Sequence, residues 1–178
     1  MARIARTISA AVILLSAWTT ASVRAEDDPW AEFRFLIGSW VSEARSEEGS
    51  GSFTLEPDLG GKILVRRNIA NLPAAKGRPA AKHEDLMIVS REPGGKAYQA
   101  TYFDNEGHII QYSISALPDK KGLVFVSNPD RHGPRFRLTY TKGEQDKVAV
   151  KFEIAPPGKA DQFKTYLEGT VRRKSASK

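Results

Sequence analysis

Apolar and polar residues alternate with a period of two along most of the chain that follows Gly38. This alternation is typical of β-strands that turn one face toward a core. In the segment 135–141, for example, Phe136, Leu138 and Tyr140 alternate with polar residues. Ten such segments follow one another, separated by turn residues at roughly eight to twelve positions. The predicted strands are 39–46, 51–56, 62–70, 83–91, 96–103, 108–116, 122–127, 135–141, 147–155 and 162–173.

Most of the predicted connections are short and rich in Gly, Asp and Asn, which favour tight turns. Short turns join antiparallel neighbours, and a long meander leaves two open edges unless it closes. The pattern therefore predicts an all-β fold, an antiparallel up-and-down barrel of about ten strands. Three connections are longer, at 72–82, 128–134 and 156–161, and we expect loops of this kind at a barrel mouth.

One stretch, Phe33 to Trp40, precedes the first predicted strand. Asp28, Pro29 and Trp30 favour the start of a short helix, because Asp is a good N-cap and Pro suits the first helical position. Gly38 allows an unusual backbone conformation at the corner, and Trp40 offers a large apolar surface. We interpret this stretch as a plug for one end of the barrel.

The first 25 residues have the pattern of a signal peptide, with Arg3 and Arg6 before a short apolar run and cleavage expected after Ala25. The prediction is one domain, 26–173, followed by a disordered tail, 174–178, and a location in the bacterial periplasm or outside the cell. Three of the 27 basic residues and none of the 21 acidic ones lie in the signal, so the mature net charge is +3. A charge this small does not indicate a nucleic-acid partner.

The chain contains no Cys, so neither disulfides nor a lipoprotein anchor is expected. The apolar run of the signal is too short to span a bilayer, and we expect no transmembrane segment in the mature chain. The oligomeric state is left open.

Period two in the segment 62–70 predicts that Ile63, Val65 and Ile69 face the interior, and Arg67 with them. Four tyrosines fall on inward positions as well. A buried guanidinium needs a partner, and we hypothesise the anionic head of a small hydrophobic ligand. The alternatives are an internal ion pair, a shift that exchanges Arg66 and Arg67 between faces, or a filled barrel without ligand. The predicted ligand-binding residues are Arg67, Tyr98, Tyr102, Tyr112, Tyr140 and Trp40.

Signatures of a serine nucleophile or a phosphate-binding loop are absent from the sequence. Asp104, Glu106 and His108 alternate as cation ligands do, but a hairpin turn explains them better, and no metal site is predicted. Asp130 and His132 are likewise interpreted as a polar turn. His83, Glu84 and Asp85 alternate along the start of a predicted strand, so they cannot converge on one atom without help from elsewhere in the chain, and we interpret them as a solvated edge.

The opening Phe33-Arg34-Phe35-Leu36-Ile37-Gly38-Ser39-Trp40, together with Leu59-Gly60-Gly61, resembles a group of uncharacterised secreted bacterial proteins that are lipocalin-like, of the calycin type. The resemblance implies a barrel with an internal cavity for small apolar ligands. Nitrobindins are similar more distantly, through Gly38 and Trp40, but their haem ligand is a His near the C-terminal strands. No His follows His132, so haem is not expected.

The predicted function is a secreted or periplasmic protein that binds a small hydrophobic ligand, neutral or anionic, in the barrel lumen. The alternative is a barrel enzyme of the isomerase or cyclase class, in which Arg67, a lumen Tyr and His108 or His132 supply the chemistry.

Overall fold

The computed structural model of the chain describes residues 28–43, 49–74, 77, 79–92, 94–95, 97–130 and 132–175. The predicted signal peptide and the last three residues of the predicted tail lie outside this part. Ten strands follow a short 3-10 helix at Ala31–Phe33 and confirm the predicted all-β barrel. They are β1 (Gly38–Ser42), β2 (Ser50–Asp58), β3 (Ile63–Leu72), β4 (Ala81–Arg91), β5 (Tyr98–Asp104), β6 (Ile109–Ala116), β7 (Gly122–Ser127), β8 (Arg135–Lys142), β9 (Lys147–Ala155) and β10 (Lys164–Arg173).

Each strand pairs with its sequence neighbours, and β1 closes the barrel against β10. All pairings are antiparallel, as the short predicted turns require. Among the described residues, the pairing of β1 with β10 runs from Trp40 opposite Arg173 to Ser42 opposite Val171, and the Glu43 backbone N–H donates to the Thr170 carbonyl at 2.9 Å.

The 3-10 helix closes one end of the barrel. Asp28 accepts a hydrogen bond from the Trp30 backbone N–H at 2.9 Å, and this starts the turn. The Trp30 indole N–H donates to the carbonyl of Gly61, in the β2–β3 connection, at 2.8 Å. The Phe33 ring enters the barrel and packs edge-on against Phe125 and Tyr98. We call this the closed end, and its structure agrees with the predicted plug.

The opposite end, where β4, β6, β8 and β10 begin, is the mouth of the barrel. The three long connections recognised in the sequence all lie there, because each joins an odd-numbered strand to the even-numbered strand after it. Among the described residues, no helix has the length and apolar character that a membrane crossing needs.

Much of the barrel interior is filled by aromatic side chains. Trp40 stacks on Phe53, which contacts Tyr140, and the chain of ring contacts continues through Phe125 to Tyr112. These rings are almost completely buried, as are Leu36, Leu64, Met87 and Val89 around them. A barrel without disulfides is thus stabilised by a continuous apolar core.

Candidate functional site

The inward arginine is Arg66 and not Arg67. In the β2–β3 pairing, Arg66 lies opposite Leu55, which is buried, and Arg67 lies opposite Thr54. Arg67 is exposed on the outer face. The inward orientation predicted for Arg67 is therefore wrong. The register is shifted by one residue, which is the exchange of Arg66 and Arg67 that the sequence left open.

The physical reason is that β3 reverses the usual distribution of apolar residues. Ile63, Val65 and Ile69 lie on the outer face, whereas Leu64 and Asn68 share the inner face with Arg66. The outer face stays apolar on the next strand, where Leu86 is the partner of Arg67 and Ile88 the partner of Val65. Because β3 has an apolar outer face and a polar inner one, the rule that apolar side chains point inward gives the wrong register for this strand.

Asp85 of β4 neutralises the charge of Arg66 inside the barrel. Its carboxylate forms a salt bridge with the Arg66 guanidinium, and both side chains are largely buried. Asn68 donates to the second carboxylate oxygen of Asp85 at 2.8 Å. The Phe53 ring centre lies 5.1 Å from the guanidinium carbon. The predicted anionic partner of the inward arginine is thus supplied by the protein itself, as an internal ion pair.

Three of the predicted tyrosines surround this pair. The charge of Arg66 acts on the hydroxyl groups of Tyr102, Tyr112 and Tyr140, and Tyr112 and Tyr140 are almost completely buried. Burial raises the pKa of each of these phenols above the usual value, and Arg66 opposes the shift only in part. All three therefore stay protonated at neutral pH and are available as hydrogen-bonding groups.

The other two residues of the predicted set lie elsewhere. The Tyr98 hydroxyl donates to the carbonyl of Pro29 at 2.8 Å, which places this tyrosine at the closed end. Burial also raises the pKa of Tyr98. The Trp40 indole N–H donates to the carbonyl of Leu36 at 2.8 Å in the same region. Both residues belong to the plug and not to the surroundings of Arg66.

A hydrogen-bonded network continues from Asp85 toward the mouth. His83 Nε2 lies 3.0 Å from the Tyr102 hydroxyl and 3.4 Å from Asp85 Oδ2. Tyr102 in turn donates to Asp104 Oδ2 at 3.2 Å. The other ring nitrogen of His83, Nδ1, lies 3.0 Å from Glu106 Oε1. We call His83, Tyr102, Asp104 and Glu106, together with His108, the rim cluster.

The β5–β6 hairpin holds the rim cluster in place. Asp104 Oδ1 accepts from the backbone N–H groups of Glu106 and His108 at 3.0 and 2.9 Å, and Asp104 Oδ2 lies 2.9 Å from His108 Nδ1. Burial alone would raise the pKa of Asp104, but these bonds hold it below its usual range. The predicted hairpin turn is confirmed, and Asp104 is ionised within it.

The opposite wall of the mouth is apolar. Phe136 and Phe152 stack in parallel 5.9 Å apart, and the Tyr166 ring meets Phe152 edge-on. Leu167 is paired with Phe152, on the inner face of β10. Even so, Leu167 is 49% exposed and Tyr166 is 69% exposed. Solvent thus reaches apolar side chains on the inner side of the barrel at this end.

Two buried polar atoms beside the ion pair make no hydrogen bond of good geometry with the described residues. They are Nε of Arg66 and the hydroxyl oxygen of Tyr140. The two side chains are close enough that Arg66 acts on this hydroxyl and opposes the rise of its pKa. Buried polar groups in native proteins are almost always satisfied by protein, water or ligand. The two atoms therefore mark a place inside the barrel where a further hydrogen-bonding group can bind.

The segment that contains Asp130 and His132 forms a turn at the mouth, as predicted. Asp130 Oδ1 accepts from the backbone N–H of His132 at 2.9 Å. Hydrogen bonds from the backbone N–H groups of His132 and Gly133 lower the pKa of Asp130. His132 is exposed, and the neighbouring position 131 lies outside the described residues.

Sequence reasoning missed Arg66, Asn68, His83 and Asp85 as members of one polar wall. A usable signal was present in β2, where Phe53 and Leu55 alternate with Ser52 and Thr54 and so define the inner face. The connection from Asp58 to Ile63 sets the pairing, and this pairing brings Arg66 opposite Leu55. The convergence of His83 with Glu106 has no comparable local signal.

Comparison of the chain with models of protein families gave no match, and neither did comparison with curated proteins.

Proposed function

We propose that this protein binds a small hydrophobic molecule that carries an oxygen acceptor, with its polar end at Arg66 and Tyr140 and its apolar part toward the mouth. The observation that carries the proposal is the pair of buried atoms, Arg66 Nε and the Tyr140 hydroxyl, that make no hydrogen bond of good geometry with the described residues. A carbonyl, hydroxyl or carboxylate oxygen can accept from both groups.

The two walls of the mouth support an amphipathic ligand. Arg66, Asn68 and Asp85 offer polar contacts on β3 and β4, whereas Phe136 and Phe152 offer flat apolar surfaces on β8 and β9. Small-molecule sites combine an apolar lining with a few well-placed polar groups in this way. Ligand binding would also remove the exposed Leu167 side chain from water, which is favourable.

A negative charge on the ligand is not required. Asp85 already neutralises Arg66, so a neutral carbonyl satisfies the free N–H as well as a carboxylate does. The proposed ligand class therefore includes neutral as well as anionic molecules.

We also propose that the protein lies in the periplasm or outside the cell. The signal-peptide pattern of residues 1–25 fits a periplasmic or secreted protein. The motifs at Phe33–Trp40 and Leu59–Gly61 agree with a lipocalin-like binding protein. In such a protein the barrel would carry its ligand outside the cytoplasm.

Substitution of Tyr140 by Phe tests the polar anchor. The mature chain is titrated with parinaric acid and with its methyl ester, whose fluorescence reports transfer to an apolar site. Loss of one hydrogen bond is expected to weaken binding of both probes by about tenfold, or about 1.4 kcal/mol. The free energy of unfolding without ligand is expected to change little, because the buried hydroxyl makes no hydrogen bond of good geometry with the described residues.

The matched control is Tyr98→Phe, which removes a tyrosine hydroxyl at the closed end. This variant is expected to lose stability but to bind both probes as the wild type does. Equal affinities of wild type and Tyr140→Phe would contradict the proposed anchor. Native mass spectrometry of the mature protein from its own host then identifies the natural ligand by its mass.

A further inference from the structure

His83, Asp104 and Glu106 bring together one imidazole and two carboxylates at the rim of the mouth. One potential ligand atom from each residue lies within 4.8 Å of the other two. The three residues come from β4, the end of β5 and the turn that follows β5. Their convergence is a consequence of the barrel topology and not of a local motif.

The hydrogen bonds around Tyr102 allow two neutral tautomers of His83. With the proton on Nε2, the ring donates to the Tyr102 hydroxyl, which donates its own hydrogen to the carboxylate of Asp104. With the proton on Nδ1, the ring donates to Glu106, and Nε2 accepts from Tyr102. Asp85 Oδ2, also close to Nε2, favours the first of these arrangements.

In the arrangement with the proton on Nε2, Nδ1 of His83 has a lone pair that faces the Glu106 carboxylate at 3.0 Å. Two acceptors at this distance repel one another unless a positive charge lies beside them. The charge is either a second proton on His83 or a bound cation. Arg66 is engaged by Asp85, and the nearby Lys82 forms its salt bridge with Glu84.

We propose that His83 Nδ1, Glu106 and Asp104 bind one divalent transition-metal ion, of which Zn²⁺ is the test case. Two ligand atoms held at about 2.1 Å from an ion, at the angles that zinc adopts, lie about 3.0 to 3.4 Å apart. The separation of His83 Nδ1 and Glu106 Oε1 is in this range. Mixed imidazole and carboxylate ligands suit Zn²⁺ and its neighbours better than Mg²⁺ or Ca²⁺.

The groups behind the three ligands are arranged as in metal sites. Tyr102 fixes the ring of His83 through Nε2, and two backbone N–H groups hold Asp104 through Oδ1. At Oδ2, the ion would take the place of the exposed His108 ring. Such supporting hydrogen bonds orient ligands and raise metal affinity. The Glu106 side chain is exposed, and so it can adjust to complete the coordination. The site does not depend on the lumen ligand proposed above.

Calorimetric titration of the untagged, metal-free mature chain with Zn²⁺ tests the site. One ion per chain is expected to bind. Glu106→Gln is expected to weaken binding at least about 100-fold, because loss of a direct ligand exceeds the effect of losing a supporting group. This variant keeps the fold, since the carboxamide can donate to His83 Nδ1 in place of the ion. His83→Ala is expected to have the same effect on affinity.

Two control variants match these changes. Glu84→Gln neutralises an exposed acid next to His83 that pairs with Lys82, and His132→Ala removes an exposed imidazole from another loop of the mouth. Both are expected to keep the wild-type affinity. Loss of binding in either control, or equal affinity of Glu106→Gln and wild type, would overturn the proposal.

NMR of the His83 imidazole nitrogens distinguishes a bound metal ion from a proton on Nδ1. The proposal requires the Nδ1 resonance of His83 to move when Zn²⁺ is added, while Nε2 stays protonated. A His83 ring that carries a proton on Nδ1, with or without one on Nε2, and does not respond to Zn²⁺ would identify a simple hydrogen bond or ion pair with Glu106, and the proposal would fail.

Discussion

The side chain of Arg173 occupies the space that a Cβ atom on Gly38 would need. Such an atom would lie 2.4 Å from Nη1 of Arg173, and the φ angle of Gly38 is +131°. The same Nη1 donates to the carbonyl of Ile37 at 2.9 Å, and the guanidinium carbon lies 4.5 Å from the centre of the Trp40 ring. The first and last strands are thus joined by one cation at the closed end.

Gly38→Ala is predicted to lower the free energy of unfolding by about 1 to 3 kcal/mol. The methyl group meets the guanidinium, and an L side chain rarely adopts this φ. Urea denaturation measures the loss. Gly158→Ala is the control, because Gly158 has a φ of +72° but no atom near its hypothetical Cβ. A loss no greater than that of the control would show that Arg173 yields without cost.

Arg173→Ala is predicted to destabilise the barrel by about 1 to 3 kcal/mol, because it leaves the Ile37 carbonyl without this donor and removes the contact with Trp40. Its neighbour Arg172 is exposed, and Arg172→Ala serves as the control. In the double variant with Gly38→Ala, the total loss is predicted to be smaller than the sum of the two single losses, since the clash is gone. Additive losses would contradict a direct contact.

The fold was predictable because nearly every connection carries local turn chemistry. The turn at Asp104–His108, for example, is held by the Asp104 side chain, so its residues are sufficient to indicate a hairpin. Ten strands were expected and ten are found, with ends that differ by a few residues. Up-and-down topology follows from short connections without long-range information.

The site was only partly predictable, because its register depends on pairing across strands. On β3, four alternate positions hold three apolar residues and Arg67, and this pattern suggested an inward face. These apolar residues instead form part of an apolar outer wall with Leu86 and Ile88. On β4, the run Leu86-Met87-Ile88-Val89 is apolar at both parities and gives no register of its own.

The tyrosines were located better than the arginine. Tyr112 and Tyr140 lie in strands with clean alternation, and both are buried on the inner face as predicted. That Tyr98 belongs to the closed end could not be predicted, because its partner Pro29 is 69 positions away in the sequence. The contact between His83 and Glu106 could not be predicted either, since β4 and the β5–β6 turn meet only in the folded barrel.

Arg66→Leu is predicted to lower the free energy of unfolding by about 3 to 5 kcal/mol, because it leaves the Asp85 carboxylate buried without its cation. Chemical denaturation at neutral pH measures the loss. The control is Arg67→Leu, which changes the next residue on the exposed face and is predicted to alter stability by less than about 0.5 kcal/mol.

A second variant separates the ion pair from the packing of the Arg66 side chain. Arg66→Leu combined with Asp85→Asn removes both charges, and it is predicted to be more stable than Arg66→Leu alone. If Arg67→Leu proved more destabilising than Arg66→Leu, the assigned register of β3 would be wrong.

Acid stability is predicted to depend on Glu153, which lies on the outer face of β9. Arg137 donates to both of its oxygens, at 2.6 and 2.9 Å, and the Phe163 ring covers the guanidinium at 4.3 Å. The hydrogen bonds from Arg137, and to a lesser degree that from Lys151, hold the pKa of Glu153 below its usual value although burial opposes this. The ionised form is thus favoured in the folded state.

Because the pKa is lower in the folded than in the unfolded chain, the stabilisation is complete above the unfolded pKa of about 4.3. It disappears as the pH falls through the folded pKa. Glu153→Gln is therefore predicted to be less stable than wild type by about 1 to 2 kcal/mol at pH 6 or so, with a difference that shrinks steadily toward about pH 2. Urea denaturation across this range measures it, with Glu168→Gln at an exposed position of β10 as the control. A difference independent of pH would mean that Glu153 acts through packing and not through its charge.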